Sequence, residues 1–465
     1  MEIETEKIEE IVKEYSGGIR ERYTDLTLVF FLLATGLMLY QHSTGWSWDF
    51  NTYSMIGEYI FHSGFYMEWL RPPLASTAMG LLQYIFTRKI SEYVFIGLTS
   101  AFFLYSSRKF SESFDLEPEK FYIFALTPAV IFFSTMNGTE MLSLAFALLF
   151  LADFQKTRSG LWLGLTFLTR YNFGVLIPLI LLQRDLKKII KTGIISGLTL
   201  VPWLLYNYIQ TGNPLTSFGN FLMLNVFLRY TSTALNPHSL LIMTLPTAAI
   251  LLAYLKPGIR EKINFSGENV LITSYSGLVT LSYLTADYRS LRYLYPLTVP
   301  AAFYASKAWT IVDREKIFYV LAAVNLVVGG LGLGISGLTP PGKYLDSADA
   351  VNGCMAESEY WLMTNYAGAP TRPVSNENIT MERLQDGYRS ISFKGPDYRN
   401  LSAPVLEDNG RFTVYGYSEL CKKPVKADRT YLEGFNERNN LNYTFLGYIY
   451  DRFIKEKLEA LGQWK

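Results

Sequence analysis

Several scarcities bound what this chain can be. Histidine occurs three times in 465 residues, at His42, His62 and His238, and the three do not form a spaced metal triad. No glycine-rich phosphate loop, Walker pattern or dinucleotide fingerprint is present. Charge is almost cancelled: 42 Lys and Arg face 41 Asp and Glu, net +1, so nothing points to nucleic acid. Cysteine occurs twice, Cys354 and Cys421, both in the polar C-terminal part. One disulfide outside the cytosol and two separate thiols both stay open. Residues 1–23 are charged and helix-like and lack the apolar core of a cleaved signal, so the first apolar span is expected to act as insertion signal.

What is abundant is apolar surface. Residues are 49% apolar and 15% aromatic, and the apolar runs crowd between about 26 and 336. Runs of this kind read as membrane-spanning helices, about eleven of them. Residues 337–465 are polar and mixed, and read as a small α/β domain. The expected division is therefore a cytoplasmic segment 1–24, a transmembrane domain 25–336 with its active site in the outer loop 41–90, and an extracytoplasmic domain 337–465.

Orientation follows lysine and arginine. Lys7, Lys13, Arg20 and Arg22 precede the first span, Leu26–Tyr40, and place the N-terminus inside. Pro73–Phe86 is apolar but short: as a helix it reaches about 21 Å, against a hydrocarbon core of ~30 Å. It is expected to lie on the outer surface, with a second surface helix over Thr52–His62. Spans then follow at Tyr93–Ser106, Tyr122–Ser134 and Met141–Ala152. Leu161–Thr169 and Phe173–Leu182 read as two short helices meeting at Arg170 on the outer side. Further spans are expected at Ile194–Tyr206, Leu240–Tyr254, Val270–Leu284, Leu294–Ala308 and Phe318–Ile335. In the tail, Tyr360–Thr364, Arg389–Phe393 and Phe412–Tyr417 read as strands. Asp346–Met355, Ile379–Gln385 and Asp451–Leu461 read as helices. Sequons begin at Asn378, Asn400 and Asn442, weak support for an outside tail.

With this parity, Asp49, Glu140, Arg71, Arg170, Arg289 and Arg292 share the outer face. A carboxylate can serve as general base toward a hydroxyl, and arginine forks bind phosphate. Trp46, Trp48 and Tyr53 offer flat aromatic surface for a sugar or an acceptor. Each has a plainer alternative. Asp49 could be a solvated loop acid, and Glu140 a first-turn acid favourable to its helix dipole. Arg289 and Arg292 could be interfacial anchors, and the tryptophans belt residues. Arg170 is harder to set aside, because an ionisable residue at membrane depth is functional by default.

The order of these features resembles a known family. A first span is followed by a surface acid, then Arg71-Pro72-Pro73-Leu74, a second acid after the third span, and Thr169-Arg170-Tyr171 between short helices. Pro202-Trp203, Tyr206-Asn207, Thr211-Gly212-Asn213-Pro214 and Arg292-Tyr293-Leu294-Tyr295-Pro296-Leu297 come next. Over about residues 25–310 this is similar to the GT-C glycosyltransferases, in particular the family 39-like branch of dolichyl-phosphate-mannose-dependent mannosyltransferases and their aminoarabinose-transferring relatives. The resemblance implies an enzyme that moves a sugar, mannose by family weight, from a polyprenyl- or dolichyl-phosphate donor to an acceptor hydroxyl with inversion. The acceptor is a glycan, lipid-linked glycan or protein, and the site is the outer face of a plasma membrane. The resemblance carries the general base onto Asp49, the second-loop acid onto Glu140, and donor-phosphate contacts onto Arg71, Arg170 and Arg292. Many relatives have two acids in the first loop, whereas Phe50-Asn51 follows Asp49 here. No metal cofactor is therefore expected. Two other functions fit the same residues: a transporter or flippase of a lipid-linked glycan, and a non-catalytic subunit of a glycan-assembly complex.

Overall fold

The structure is a computed structural model that describes residues 24–62, 64–222, 267–285, 291–309, 339–395 and 398–425, with short pieces at 320, 323–324 and 326–328. The expected Leu240–Tyr254 span, the Asp451–Leu461 helix, Arg289 and the sequon at Asn442 lie outside the described residues. So does most of Phe318–Ile335. The chain forms two compact units, each made of three stretches of sequence. One holds Met1–Ser43, Tyr93–Thr199 and Thr233–Gly337; the other holds Thr44–Glu92, Leu200–Ser232 and Leu338–Lys465.

In the first unit the helices follow the apolar runs. Asp25–Thr44 and Leu186–Thr211 are long and apolar enough to cross a membrane. Tyr122–Ser134, expected as one span, is two helices, Pro118–Ala125 and Pro128–Asn137. Pro128 is the reason: it cannot continue the first helix, and it suits the opening turn of the second. Thr127 caps that second helix, accepting from the Val130 amide at 3.3 Å. Gly138, at φ 78°, closes it in the left-handed region. Ser159–Thr169 is a helix, and a 3-10 helix over Tyr171–Leu182 follows it, the two meeting at Arg170. Gly160 and Gly164 let this helix approach the Leu186–Thr211 helix closely. A Cβ on Gly160 would stand 2.2 Å from the Thr192 carbonyl oxygen. One on Gly164 would stand 1.7 Å from Thr199 Oγ1 and 2.9 Å from the Ser196 oxygen. This is the small-residue contact of membrane helices, in which backbones meet and dispersion holds them.

The second unit is built on Trp48–His62 and Pro73–Ile85, which cross where Gly57 meets Gly80 and Ser76. Pro73, Ala75, Ser76, Met79 and Gly80 are buried. On the other side Tyr84 is 77% and Ile85 72% exposed, with Leu81 also exposed. Such a bare apolar stripe on a helix too short to span suits a helix lying in an interface.

The tail domain carries a five-stranded sheet ordered β2-β1-β3-β5-β4, from β1 (Ala356–Ser358), β2 (Thr371–Pro373), β3 (Arg389–Phe393), β4 (Val405–Asp408) and β5 (Phe412–Tyr415). β1 lies parallel to β2 and β3, while β5 lies antiparallel to β3 and β4. Tyr360–Thr364, expected as a strand, is instead part of a helix, Trp361–Tyr366. Parallel neighbours cannot be joined by a hairpin, so the chain between β1 and β2 must cross over, and a helix does this. Its aromatics suggest a strand only because the same residues favour strands. The Gly342–Ala350 helix packs Tyr344 into a core with Val351, Ile391, Phe393, Phe412 and Val414, and the Glu377–Gln385 helix packs Leu384 against Leu401 and Tyr415. Cys354 and Cys421 are joined by a disulfide. It ties the turn before β1 to the chain after β5, beside the Met355 amide to Lys422 oxygen bond of 2.9 Å.

The close glycine contact can be tested by bulk. Gly160→Val should lower the thermal midpoint of the detergent-solubilised protein, because overpacking at a fixed backbone costs about 1–3 kcal/mol. Gly193→Ala on the facing helix, where nothing lies within 4 Å, should leave it unchanged.

Candidate active site

Asp49 stands in the first turn of the Trp48–His62 helix. Its Oδ1 meets Arg71 Nη2 at 2.7 Å, and Arg71 Nε donates to Glu68 Oε2 at 2.7 Å. One guanidinium thus lies between two carboxylates. Tyr53 lies beneath it, ring centroid 5.5 Å from Arg71 Cζ. Tyr66 bonds to the far side of the chain of charges, donating to Glu68. Burial alone would discourage the Arg71 cation, but Asp49 and then Glu68 hold it protonated well above its ordinary range. Burial, reinforced by the Glu68 charge, likewise pushes the Tyr66 phenol well up.

The loop carrying Arg71 is pinned on both sides. Trp69 packs in a cluster with Ile56, Tyr59 and Met67, against Trp203 and Tyr206. Asn207 accepts the Ser217 amide at 2.9 Å, and Ser217 Oγ donates to the Arg71 carbonyl at 3.3 Å. The Trp203, Tyr206 and Asn207 motif therefore braces the arginine's loop. Glu68 is absent from the sequence reading; its only signal was its position three residues before Arg71, the spacing at which side chains on one turn meet.

Glu140 and Arg170 occupy the first unit. Glu140 is 0% exposed and forms an ion pair with Arg170 Nη1. The same nitrogen donates to Thr139 Oγ1 at 3.0 Å, and Arg170 stacks over Tyr295 at 5.3 Å. Tyr295 in turn shares a 2.7 Å hydrogen bond with Ser143. The second-loop acid and a residue expected at the donor phosphate are here each other's partner. Arg292 lies on the Leu291–Leu297 3-10 helix with its guanidinium 5.3 Å from the Tyr293 ring.

The expected aromatic sugar surface is largely committed elsewhere. Trp46 pairs its backbone with Thr339, stacks on Tyr344 at 6.3 Å and meets Tyr366 edge-on at 4.8 Å. Trp48 meets Trp361 edge-on at 5.7 Å. Tyr53 is buried beneath Arg71. These rings fasten the first loop to the tail domain and floor the arginine. Among the described residues, no three His, Cys, Asp or Glu side chains are grouped to hold a metal ion.

The chain shares its overall fold with solved structures of one protein. It is similar to the crystal structure of ArnT from Cupriavidus metallidurans in the apo state, at TM-score 0.59 and 12% identity, over 83% of this chain and 97% of that one. It is similar also to the same protein bound to undecaprenyl phosphate, at TM-score 0.58 and 12% identity, over 85% of this chain and 98% of that one. No protein-family model and no curated protein matches the sequence.

The buried pair separates structure from chemistry. Glu140→Gln leaves Arg170 without its counter-charge and should destabilise the protein by about 3–5 kcal/mol in thermal or denaturant unfolding. The double variant Glu140→Leu/Arg170→Met should regain most of that loss.

Proposed function

We propose that this protein is an integral-membrane glycosyltransferase that moves a sugar from a polyprenyl-phosphate donor to an acceptor hydroxyl. The reading rests on a carboxylate–arginine pair, Asp49 and Arg71, carried by two surface elements in a fold shared with ArnT, which a crystal structure shows bound to undecaprenyl phosphate. Mannose is the proposed sugar, with a dolichyl or other polyprenyl carrier. The acceptor is a glycan, lipid-linked glycan or protein. The site and the tail domain face outward from a plasma membrane, with the N-terminus cytoplasmic.

In the reaction, Asp49 takes the proton of the acceptor hydroxyl as the oxygen attacks the sugar's anomeric carbon. The bond from that carbon to the phosphate oxygen breaks, and its electron pair leaves with the lipid phosphate, which gives inversion. Arg71 binds that phosphate and offsets its growing charge. In the structure Arg71 is held by Asp49, so an arriving phosphate would compete for the same guanidinium and release the base. Glu68 keeps the arginine in place during the exchange. Arg292 is the second candidate for the phosphate. Glu140 and Arg170 act on this reading as a buried structural pair.

Asp49→Asn should lower transfer from radiolabelled polyprenyl-phosphate mannose in membranes by roughly 10²–10⁴-fold, while expression and undecaprenyl-phosphate binding persist. Near wild-type turnover would remove Asp49 as the base. Arg71→Ala should abolish lipid-phosphate binding, and Arg71→Lys should restore only part of it, since an ammonium lacks the guanidinium's fork.

A further inference from the structure

The sequons have no part in the proposed transfer reaction. An N-glycan needs the asparagine amide and the hydroxyl two residues on to be reachable together, which is why the motif belongs to surface loops. Besides those in the tail, at Asn378, Asn400 and Asn442, the chain has Asn137-Gly138-Thr139 and Asn264-Phe265-Ser266. Those at Asn264 and Asn442 lie outside the described residues.

Two of the others hide the hydroxyl. Thr139 is 0% exposed, and its oxygen accepts from Arg170 Nη1 at 3.0 Å. Asn378 stands in the first turn of the Glu377–Gln385 helix, which Asn376 caps by accepting the Ile379 amide at 3.0 Å. Residues two apart on a helix do not share a face. Asn378 is accordingly exposed, whereas Thr380 is 0% exposed and accepts from Arg399 Nη2 at 3.5 Å.

The chain at Asn400 presents both groups. Residues 398–401 form neither helix nor strand. Leu401 is buried against Leu384 and Tyr415, while Asn400 and Ser402 on either side of it are exposed. Out, in and out is the alternation of an extended chain, in which residues two apart lie on one side. One buried leucine thus lifts both halves of the sequon into solvent. Two bonds hold the segment: the Arg399 amide donates to Ser392 Oγ at 2.6 Å, and the Tyr415 hydroxyl donates to Asn400 Oδ1 at 3.3 Å. The second bond engages the amide oxygen of Asn400 and not the nitrogen that would carry a sugar. The same domain holds the disulfide between Cys354 and Cys421, a bond that persists outside the reducing cytosol.

We infer that Asn400 is an N-glycosylation site. Its Nδ2 attacks the anomeric carbon of a lipid-linked oligosaccharide. The bond from that carbon to the lipid's phosphate oxygen breaks with its electron pair on the phosphate, and an amide proton passes to a base of the membrane transferase that performs the step. Glycosylation there requires the outward tail proposed above and is independent of this chain's own transfer reaction.

The test takes the full chain from its own membranes and reads its peptides by mass spectrometry. The peptide with Asn400 should carry a glycan, and the peptide with Asn378 none. Ser402→Ala should lose that glycan, Ser402→Thr should keep it, and Asn378→Gln should leave it in place. All three variants should unfold at one thermal midpoint, because the changed side chains lie in solvent. A glycan that survives Ser402→Ala is not attached through the sequon and overturns the inference. The exposed Lys423 reports the side of the tail through a membrane-impermeant amine reagent on intact cells. A bare Asn400 with labelled Lys423 overturns the inference and keeps the outward tail; a bare Asn400 with protected Lys423 overturns both. A glycan on Asn400 in a chain that transfers no sugar upholds the site and removes the transferase reading.

Discussion

Everything at the candidate site depends on one guanidinium held between two carboxylates. Arg71 meets Asp49 and Glu68 at 2.7 Å each, with an aromatic ring beneath it. A lone arginine in such a half-buried loop would lose hydration with nothing in return, and two acids without it would repel each other. The trio is stable only as a trio. It leaves one excess negative charge when both acids are ionised, so a phosphate cannot simply add to it. An added anion would have to displace a carboxylate from the guanidinium before it could pair with it.

The surrounding architecture fixes this pairing from several directions. The helix bearing Asp49 crosses the Pro73–Ile85 helix at glycines, with backbones close enough to leave little freedom to slide. The Trp69 cluster and the Asn207–Ser217–Arg71 chain hold the opposing loop. Glu92, fully buried, accepts from Ser54 at 2.6 Å and from Tyr366, tying the same helix to the tail domain. Separation of the two elements that carry the pair is therefore resisted by packing, by hydrogen bonds and by charge together.

Much of this was legible in the sequence, in a graded way. Helices follow the apolar runs because burial, or lipid, is what such runs require. Asp49 and Arg71 stood out by their place in the order of features, a surface acid followed by Arg71-Pro72-Pro73-Leu74. Partners were harder. Glu140 and Arg170 each read as a site residue, and nothing local reveals that two residues thirty apart form an ion pair. Trp46 and Trp48 read as a sugar platform, because composition shows aromatic surface but not what packs against it; in the structure both rings are half-buried against the tail domain. Glu68 went unseen beside the more conspicuous Arg71-Pro72-Pro73. The Trp361–Tyr366 helix read as a strand, because parallel pairing on either side of β1 is a tertiary fact that overrides local preference.

The backbone bridge between Trp46 and Thr339 joins the first surface loop to the start of the tail domain. During synthesis the loop emerges long before its partner strand of chain exists, with a delay on the order of tens of seconds at ordinary elongation rates. Through that interval Trp46 and Trp48 have no tail to pack against and Asn51 has no Met363 beside it. The unit holding Asp49 and Arg71 thus completes its packing only after its later-made part has folded. The order in which the chain is written thus sets when that unit is complete: it is begun early and finished late.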